Sequence, residues 1–178
     1  MSKREEISLY YTTMDSPVGQ LLLVSDGTCL TGLYLDNRTD ASWNEENLPL
    51  LDRAKAWLKA YFEGNQPDPE TLPLKVEGTP FQREVWKLLS AIPYGQTRTY
   101  GNIAREMARI TGKEKMSAQA VGQAVGRNPV SILVPCHRVV GSGGKLTGYA
   151  GGMDKKIWLL ELESQQRIGE TDNAVRRI

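Results

Sequence analysis

The strongest constraint on the fold of this chain is a change in hydrophobic period across a proline-rich segment, residues 65–79. Before it, short runs of aliphatic and β-branched residues alternate with turn signals, which is typical of strands. After it, apolar residues recur at the three-to-four-residue spacing of helices. The segment itself contains Pro67, Pro69 and Pro73 and little periodicity, so we interpret it as a linker.

This change of period predicts a fold of two domains. A small N-terminal α/β domain is expected over residues 1–78, with the linker starting near residue 65, and a mostly helical C-terminal domain over residues 79–163. A chain of 178 residues is long enough for two such domains. The remaining residues, 164–178, are polar and are expected to form a loosely ordered tail.

The N-terminal domain is predicted to contain three strands and one helix. Turn signals at residues 16–19 and 26–27 separate the strands, and apolar residues at helical spacing follow them. Cys29 is interpreted as a small apolar residue of this core. The predicted strands are Ile7–Thr12, Gln20–Ser25 and Leu30–Leu35, and the predicted helix is Leu48–Phe62.

The C-terminal domain is expected to begin with a well-marked helix. Thr79 is a candidate N-cap, Pro80 suits the first helical position, and Gln82 completes a capping box. Apolar residues then fall on one face of a helix that ends before Pro93. These signals predict a helix start at residue 80.

Two further helices follow, Tyr100–Ile110 and Ala118–Val125, separated by a short turn that contains a glycine. This arrangement is typical of a helix-turn-helix reader of a DNA groove, although two packed helices without DNA would give the same pattern. The glycine-rich residues 141–152 are interpreted as a loop or hairpin wing. Asp154 is expected to cap a final helix, Lys155–Glu163.

The charges are divided unequally between the two halves of the chain. Residues 1–80 carry seven Lys and Arg and thirteen Asp and Glu, whereas residues 81–178 carry fifteen Lys and Arg and eight Asp and Glu. The whole chain has a net charge of +1. A basic C-terminal half favours contact with a polyanion, and solvated surface charge is the alternative.

The composition argues against several classes of protein. The N-terminus has no apolar signal segment and no run is long enough to span a membrane, which predicts a cytoplasmic protein without membrane contact. Two cysteines, Cys29 and Cys136, do not make a disulfide framework and indicate a reducing compartment. Two cysteines and one histidine also leave a structural zinc site short of ligands, so no metal is expected; a metal held by carboxylates alone is the alternative, and no clustered motif indicates one.

The candidate chemistry lies at Pro135-Cys136-His137-Arg138, which follows the apolar run Val130–Val134. A thiol attacks only as its thiolate, and the single histidine of the chain is the base that would supply it. Adjacent residues of a strand point to opposite faces, so the thiol and imidazole cooperate only if a strand ends at Pro135 and the backbone turns there. A buried structural cysteine–histidine pair is the alternative.

Such a base needs an acceptor that orients its ring. Glu163 is a candidate, and an exposed glutamate at a helix end is the alternative. Asn128 is a candidate brace for the loop that carries Cys136, and it also suits a left-handed helix C-cap. A papain-like protease would take its histidine from a distant segment, and a redox thiol would need a second cysteine nearby; the sequence has neither.

At these positions the chain resembles the O6-alkylguanine-DNA alkyltransferases, and most closely the bacterial methylated-DNA–protein-cysteine methyltransferases. The resemblance is strong over residues 79–163 and looser before them. It implies a ribonuclease-H-like N-terminal domain, and a C-terminal domain whose helix-turn-helix, winged-helix-like unit binds duplex DNA through the minor groove. It also implies a monomer without a cofactor. The motifs that carry it are residues 128–139 with PCHRV intact, residues 92–95 with Thr99-Tyr100, residues 146–152, and Lys156 with residues 158–160.

The resemblance further implies a reaction and the residues that perform it. Cys136 would accept the alkyl group of a rotated-out O6-alkylguanine, once and irreversibly, with O4-methylthymine as a further substrate. His137, backed by Glu163, would keep the sulfur ionised, and Asn128 would brace the loop. Tyr100 would donate a proton toward the purine; a core aromatic is the alternative for it. The residues implied to bind DNA or the base are Ala118, Gln119, Arg138, Val139, Tyr149 and Ala150.

Two positions depart from the family pattern. Gln119 stands where many members have an arginine that fills the gap left by the extruded nucleotide, which predicts weaker binding to alkylated duplex. Ala150 stands where some members have serine, which matters little if the backbone N–H is the useful group. The alternative function is that of the alkyltransferase-like lesion sensors, which bind alkylguanine without removing the group; those relatives lack the cysteine present here as Cys136.

Overall fold

The structure is a computed structural model that describes residues 6–36, 38–149 and 151–175, with side chains to residue 165. The chain divides into two compact units between Val76 and Glu77. None of the described helices is both long and apolar enough to cross a membrane.

The first unit is a four-stranded sheet with one helix. The strand order is β3-β2-β1-β4, antiparallel except for the parallel pair β1–β4. Helix α1 places an apolar face, including Leu51, Trp57 and Leu58, in the core. The strands are β1 (Tyr10–Ser16), β2 (Gly19–Ser25), β3 (Leu30–Tyr34) and β4 (Asn44–Glu45), and α1 is Pro49–Phe62.

The first strand lies later in the sequence than Ile7–Thr12. A tight hairpin explains the shift. The turn pairs Ser16 with Gly19, and in this register Tyr10 pairs with Ser25, the last residue of β2, so β1 begins at Tyr10. Gly19 has a φ of 98°, a conformation that favours glycine, and the Ser16 hydroxyl donates to its carbonyl at 2.6 Å. The two-residue strand β4 was not predicted, because a pair of exposed polar residues gives no periodic signal.

The proline-rich segment is not a free linker. The Leu30 amide donates to the Pro73 carbonyl at 2.8 Å, and the Lys75 amide donates to the Leu30 carbonyl at 3.0 Å. The Trp57 indole also donates to the Asp68 carbonyl at 3.0 Å. The expectation was wrong here because prolines mark interruptions in regular structure, whereas the residues between them still pair with β3 and α1 of the first unit.

The second unit is built on three helices, α2 (Pro80–Ser90), α3 (Tyr100–Thr111) and α4 (Ala118–Gly126). The predicted capping box of α2 is confirmed: the Gln82 amide donates to the Thr79 hydroxyl at 3.1 Å and the Thr79 amide donates to the Gln82 side chain at 3.0 Å. Helix α4 packs on both α2 and α3, and the Trp86 indole donates to the Ala124 carbonyl at 2.8 Å. The predicted helix-turn-helix pair is therefore α3–α4.

The turn between α3 and α4 forms as its sequence predicts. Gly112 ends α3 in the left-handed conformation at φ 69°, and the Ser117 hydroxyl accepts from the Ala120 amide at 3.2 Å. Two short parallel strands, β5 (Arg98–Thr99) and β6 (Val139–Val140), then join the start of α3 to the chain that follows Cys136–Arg138.

The final helix, α5, extends beyond its predicted bounds. It runs from Met153 to Val175, so Asp154 lies in its first turn instead of capping it. Residues 164–175 of the expected loose tail are thus helical, whereas residues 176–178 lie outside the described residues. The polar sequence after Glu163 contains no proline, and its Gln, Arg and Glu residues are good helix formers.

Candidate active site

The apolar run before the cysteine is a turn, not the predicted strand. Ile132 has a φ of 69°, and it alone among the non-glycine residues described has a positive φ. A β-branched residue in this region is strained by about 1–3 kcal/mol, so other contacts must stabilise the turn. Hydrophobic periodicity carries no information about backbone φ angles, so the aliphatic run before Pro135 was predicted to be a strand.

Asn128 supplies those contacts. Its side-chain amide donates to the Val134 carbonyl at 2.8 Å, and its side-chain oxygen accepts from the Val130 amide at 3.0 Å. The asparagine therefore spans both ends of the turn, as a brace would. The alternative, a left-handed C-cap, does not apply, because Arg127 is the C-cap of α4 and Asn128 has no positive φ.

The cysteine and histidine lie in a 3₁₀ turn, Cys136–Arg138. Such a turn separates successive side chains by about 120°, so the two residues point neither together nor to opposite faces as in a strand. Cys136 is 6% exposed and His137 is fully buried. The backbone does change direction at Pro135, but it does so from one turn into another.

Glu163 is a buried carboxylate shared by three donors. One oxygen lies 2.5 Å from His137 Nε2. The other accepts from Arg138 Nε at 2.7 Å and from the Gly95 amide at 3.1 Å. Burial raises the pKa of this carboxyl, but the hydrogen bonds and charges of His137 and Arg138 outweigh burial and bring it to about 2. Glu163 is therefore ionised at neutral pH.

His137 is a neutral, oriented imidazole. Burial lowers its pKa, and the charges of Arg138 and Lys156 act in the same direction against the carboxylate of Glu163. Because an ionised carboxylate only accepts, Nε2 must carry the proton, which leaves a lone pair on Nδ1. That Nδ1 is buried and has no hydrogen-bond partner among the residues described. The ring thus has a fixed tautomer and an unused acceptor at Nδ1.

Cys136 is not the ready thiolate that the sequence suggested. Burial raises the pKa of its thiol, while the polar side chains of Asn128, Tyr149 and Ser131 and the charge of Lys156 lower it without reversing the shift. The expectation of a sulfur kept ionised by His137 was wrong for the free protein, because a neutral imidazole supplies no charge to offset burial. The resting site therefore contains a protonated thiol.

The thiol opens into a cleft of about 450 Å³. The cleft lies between α3, α4, the turn braced by Asn128, and the glycine-rich wing. Burial raises the pKa of the Tyr100 hydroxyl, so this group keeps its proton at neutral pH and can act as a donor. The residues that line the cleft are Tyr100, Gly122, Val125, Gly126, Asn128, Ser131, Cys136, Thr147, Gly148 and Tyr149.

Lys156 was noted in the sequence as part of a motif but was given no role. Its side chain is fully buried, and its Nζ donates to the Val139 carbonyl at 2.6 Å and to the Thr147 carbonyl at 3.1 Å. The signal that could have found it is spacing, since Lys156, Leu159 and Glu163 share one face of α5. Two polar residues on a buried face indicate a polar network. Ser131 was missed because a serine in an apolar run has no distinguishing pattern.

The residues expected to bind DNA or the base are distributed over several places. Ala118 and Gln119 are exposed at the start of α4, and Tyr149 lines the cleft. Val139 is buried and its carbonyl accepts from Lys156. Ala150 lies outside the described residues.

Arg138 does not face a ligand, contrary to the expectation that it would bind DNA. Its side chain is only 11% exposed, and its guanidinium binds Glu163 and donates to the Ile92 carbonyl at 2.7 Å. It also lies over the Tyr94 ring, 5.7 Å from the ring centroid. A guanidinium with two buried partners stabilises the carboxylate network, because breaking it would leave an unpaired buried charge.

No cluster of three or more His, Cys, Asp or Glu side chains suitable for a metal ion occurs within the described ranges. The side chains at the site supply a thiol, a neutral imidazole that can take a proton, and a phenol that can give one.

Two family models match nearly the whole chain. The ribonuclease-like domain of 6-O-methylguanine DNA methyltransferase matches residues 9–76, and the DNA binding domain of the same family matches residues 80–165.

Among curated proteins, the methylated-DNA–protein-cysteine methyltransferase of Haemophilus influenzae is 41% identical over 175 residues, 96% of this chain and 95% of that protein. The protein of the same name from Methanosarcina barkeri is 45% identical over 162 residues, 87% of this chain and 97% of its own length.

Solved structures give the same picture. The Mycobacterium tuberculosis O6-methylguanine methyltransferase is 44% identical, has a TM-score of 0.76, and aligns over 89% of this chain and 94% of its own. The Mycobacterium tuberculosis OGT in complex with DNA is 44% identical with a TM-score of 0.77, and aligns over 88% and 94% of the two chains.

Proposed function

Because the chain belongs to the 6-O-methylguanine DNA methyltransferase family, we propose that Cys136 is the cysteine that receives the methyl group. The protein repairs DNA by methyl transfer from damaged guanine to one of its own cysteines. The observation that carries the assignment is the position of the thiol: Cys136 lines the cleft of the second unit, whereas Cys29 lies in the first unit, next to the Asp26 turn.

The reaction is an in-line displacement at the alkyl carbon. The Cys136 sulfur forms a bond to that carbon, and the bond between the carbon and O6 of guanine breaks, with its electron pair moving into the purine. The thiol proton passes toward Nδ1 of His137, and the Tyr100 hydroxyl protonates the departing purine. The thioether is stable to water, so each molecule acts once.

The protonated resting thiol adds a requirement to this mechanism. Because burial raises the pKa of the Cys136 thiol, the sulfur is protonated at neutral pH, so proton loss must accompany or directly precede attack. The neutral His137 suits that task, because its ring is fixed by Glu163 and its Nδ1 lone pair is unused. Placing the carbon against the sulfur supplies most of the remaining acceleration.

The α3–α4 pair is the proposed DNA-binding element. We propose that α4 enters the minor groove with Ala118 and Gln119 at its exposed start, and that the O6-alkylguanine nucleotide rotates into the cleft. Extruding a base costs a few kcal/mol, less when the base is mispaired by alkylation. O4-methylthymine is a proposed second substrate. Tyr149 and the backbone groups of Val139 and Ala150 would contact the base.

The protein is proposed to act as a monomer in the cytoplasm, without a cofactor. A reducing compartment suits the reaction, because a second thiol oxidised onto Cys136 would block the acceptor. The site requires no partner chain to complete it: every proposed group comes from the second unit of one chain.

Intact-protein mass after incubation with an O6-methylguanine duplex tests the assignment. We expect a gain of one methylene unit, mapped to Cys136 by peptide analysis and absent in Cys136→Ser. Cys29→Ser is the matched control and should gain the same mass. A label on Cys29 would contradict the assignment. Duplex binding without any mass gain would indicate a lesion sensor instead.

A further inference from the structure

Thr147 lies on the exposed wing and lines the same cleft as Cys136 and Tyr100. The wing contains several glycines, yet this threonine is held on three sides. Its carbonyl accepts from Lys156 Nζ at 3.1 Å. Its methyl group lies over Gly141, 3.5 Å from where a Cβ would stand. Its hydroxyl lowers the pKa of the Tyr100 phenol by hydrogen bonding, against the larger effect of burial, and the Lys156 ammonium that holds the Thr147 carbonyl also lies 5.9 Å from the centroid of the Tyr100 ring.

The anchor for Thr147 is itself rigid. Lys156 is fully buried, and the same ammonium donates to the Val139 carbonyl at 2.6 Å and lies 5.9 Å from the centroid of the Tyr100 ring. One cation therefore joins the wing to β6, the strand that directly follows the Cys136–Arg138 turn. The backbone of Thr147 is fixed relative to the nucleophile by this contact.

The direction of the Thr147 hydroxyl follows from these constraints. A β-branched side chain has few χ1 rotamers, so a fixed backbone and a methyl group packed over Gly141 restrict the directions open to the hydroxyl, and its interaction with Tyr100 selects one of them. A hydroxyl can donate and accept at once. When Thr147 donates to the phenol oxygen, the phenol proton remains available, and the phenolate formed by its loss is stabilised.

We propose that Thr147 is a positioning residue for Tyr100, holding the phenol in the orientation from which it protonates the departing guanine. This rests on the proposed function. As the bond between the alkyl carbon and O6 breaks, the proton of Tyr100 moves to the purine, and the Thr147 hydroxyl donates to the resulting phenolate. The phenolate later regains a proton from solvent, and Thr147 forms no covalent bond.

A double-mutant cycle tests this with single-turnover transfer at saturating O6-methylguanine duplex. Thr147→Val, which keeps the shape but removes the hydroxyl, should slow transfer about fivefold, the effect of one neutral hydrogen bond. Thr147→Ser should restore the rate. In a Tyr100→Phe background, Thr147→Val should have no further effect, because the residue acts through the phenol. Leu146→Ala, next to it on the wing, is the matched control and should transfer at the wild-type rate.

Several outcomes would overturn the proposal. The first two are an unchanged rate in Thr147→Val and a wild-type rate in Tyr100→Phe. The third is that Thr147→Val slows transfer equally in the wild-type and Tyr100→Phe backgrounds. The fourth is that Thr147→Val loses enough DNA affinity or thermal stability to account for its slower transfer. A wild-type protein that never labels Cys136 would instead refute the proposed function, and this proposal with it. The cycle thus separates the two failures.

Discussion

The two walls of the cleft differ in burial and in the number of contacts that hold their side chains. The inner wall, residues 128–138 with Glu163, is largely buried, and its side chains bind one another and the backbone. The outer wall, residues 141–149, is exposed from Ser142 to Gly148 and contains three glycines with positive φ. The proposed nucleophile thus lies on the buried, internally bonded wall, whereas the outer wall is mostly exposed and is held at Thr147 by Lys156.

The largest effect should come from removing the brace of the inner wall. Asn128→Ala loses the bonds to Val130 and Val134 and leaves their backbone groups buried without partners. We expect a loss of about 3 kcal/mol in the free energy of unfolding. Transfer should slow on the order of a hundredfold, because the sulfur moves with the turn.

Ser142→Ala is the matched substitution on the outer wall. It should change stability by no more than about 0.5 kcal/mol, since its side chain is exposed. Urea unfolding of both variants measures the contrast. Equal losses would show that the two walls do not differ in the way described.

Glu163→Gln should weaken the inner wall by a smaller amount. The carboxyl titrates at about 2 in the folded protein and near 4.5 when free, so its ionisation stabilises the fold above pH 4.5, and that contribution is lost as pH falls through 2. We expect Glu163→Gln to lose about 2 kcal/mol at pH 7, with the difference from wild type shrinking below pH 4.5.

Stability measured against pH would check this sign. The wild type should also lose stability below about pH 6.5, because the buried neutral His137 resists the proton that the unfolded chain accepts. A constant difference between wild type and Glu163→Gln from pH 7 to pH 3 would contradict the assignment of an ionised, paired carboxylate.

The buried thiol should give the inner wall a sensitivity to alkali. In the unfolded chain the thiol ionises near 9, whereas burial keeps it protonated in the folded protein, so folding stability falls as pH rises above 9. Cys136→Ala should remove this loss, worth about 1 kcal/mol by pH 10. Urea midpoints at pH 7 and pH 10 measure it. Cys29→Ala, which leaves Cys136 in place, should keep the loss; equal slopes in all three proteins would refute a protonated resting thiol.

The smallest effect should come from Gln119, outside both walls. Gln119→Arg adds a charge at the exposed start of α4, and we expect alkylated duplex to bind about fivefold tighter with a steeper salt dependence. Stability and the rate at saturating DNA should not change. Binding titrations at two salt concentrations test this, with Gln119→Ala as the uncharged control. Unchanged affinity would show that this position does not meet DNA.

Local signals in the sequence predicted the scaffold around the site. The Thr79 cap of α2, the helices α3 and α4 and the glycine-containing turn between them follow from short-range patterns, and each formed at or within two residues of its predicted place. The family motif also placed Asn128, Glu163 and His137 in the network that the structure shows.

What could not be predicted depends on contacts between distant residues. The positive φ of Ile132 exists because Asn128 braces the turn, and the pairing of Pro73 and Lys75 with Leu30 exists because β3 lies beside them. The protonated thiol follows from complete burial beside a neutral imidazole, which composition cannot report. Arg138 was assigned to DNA through the family resemblance, whereas in the structure its guanidinium binds the buried Glu163.

The shared carboxylate has a consequence for biosynthesis. Gly95, His137 and Arg138 are all translated before Glu163, so a nascent chain contains the acceptor cysteine and its base while the group that orients the ring is still unmade. The imidazole gains its fixed tautomer only when α5 has emerged and folded against the earlier segments. If Cys136 is the acceptor, as proposed, we expect methyl-accepting competence to be acquired only after Glu163 has been translated and α5 has folded.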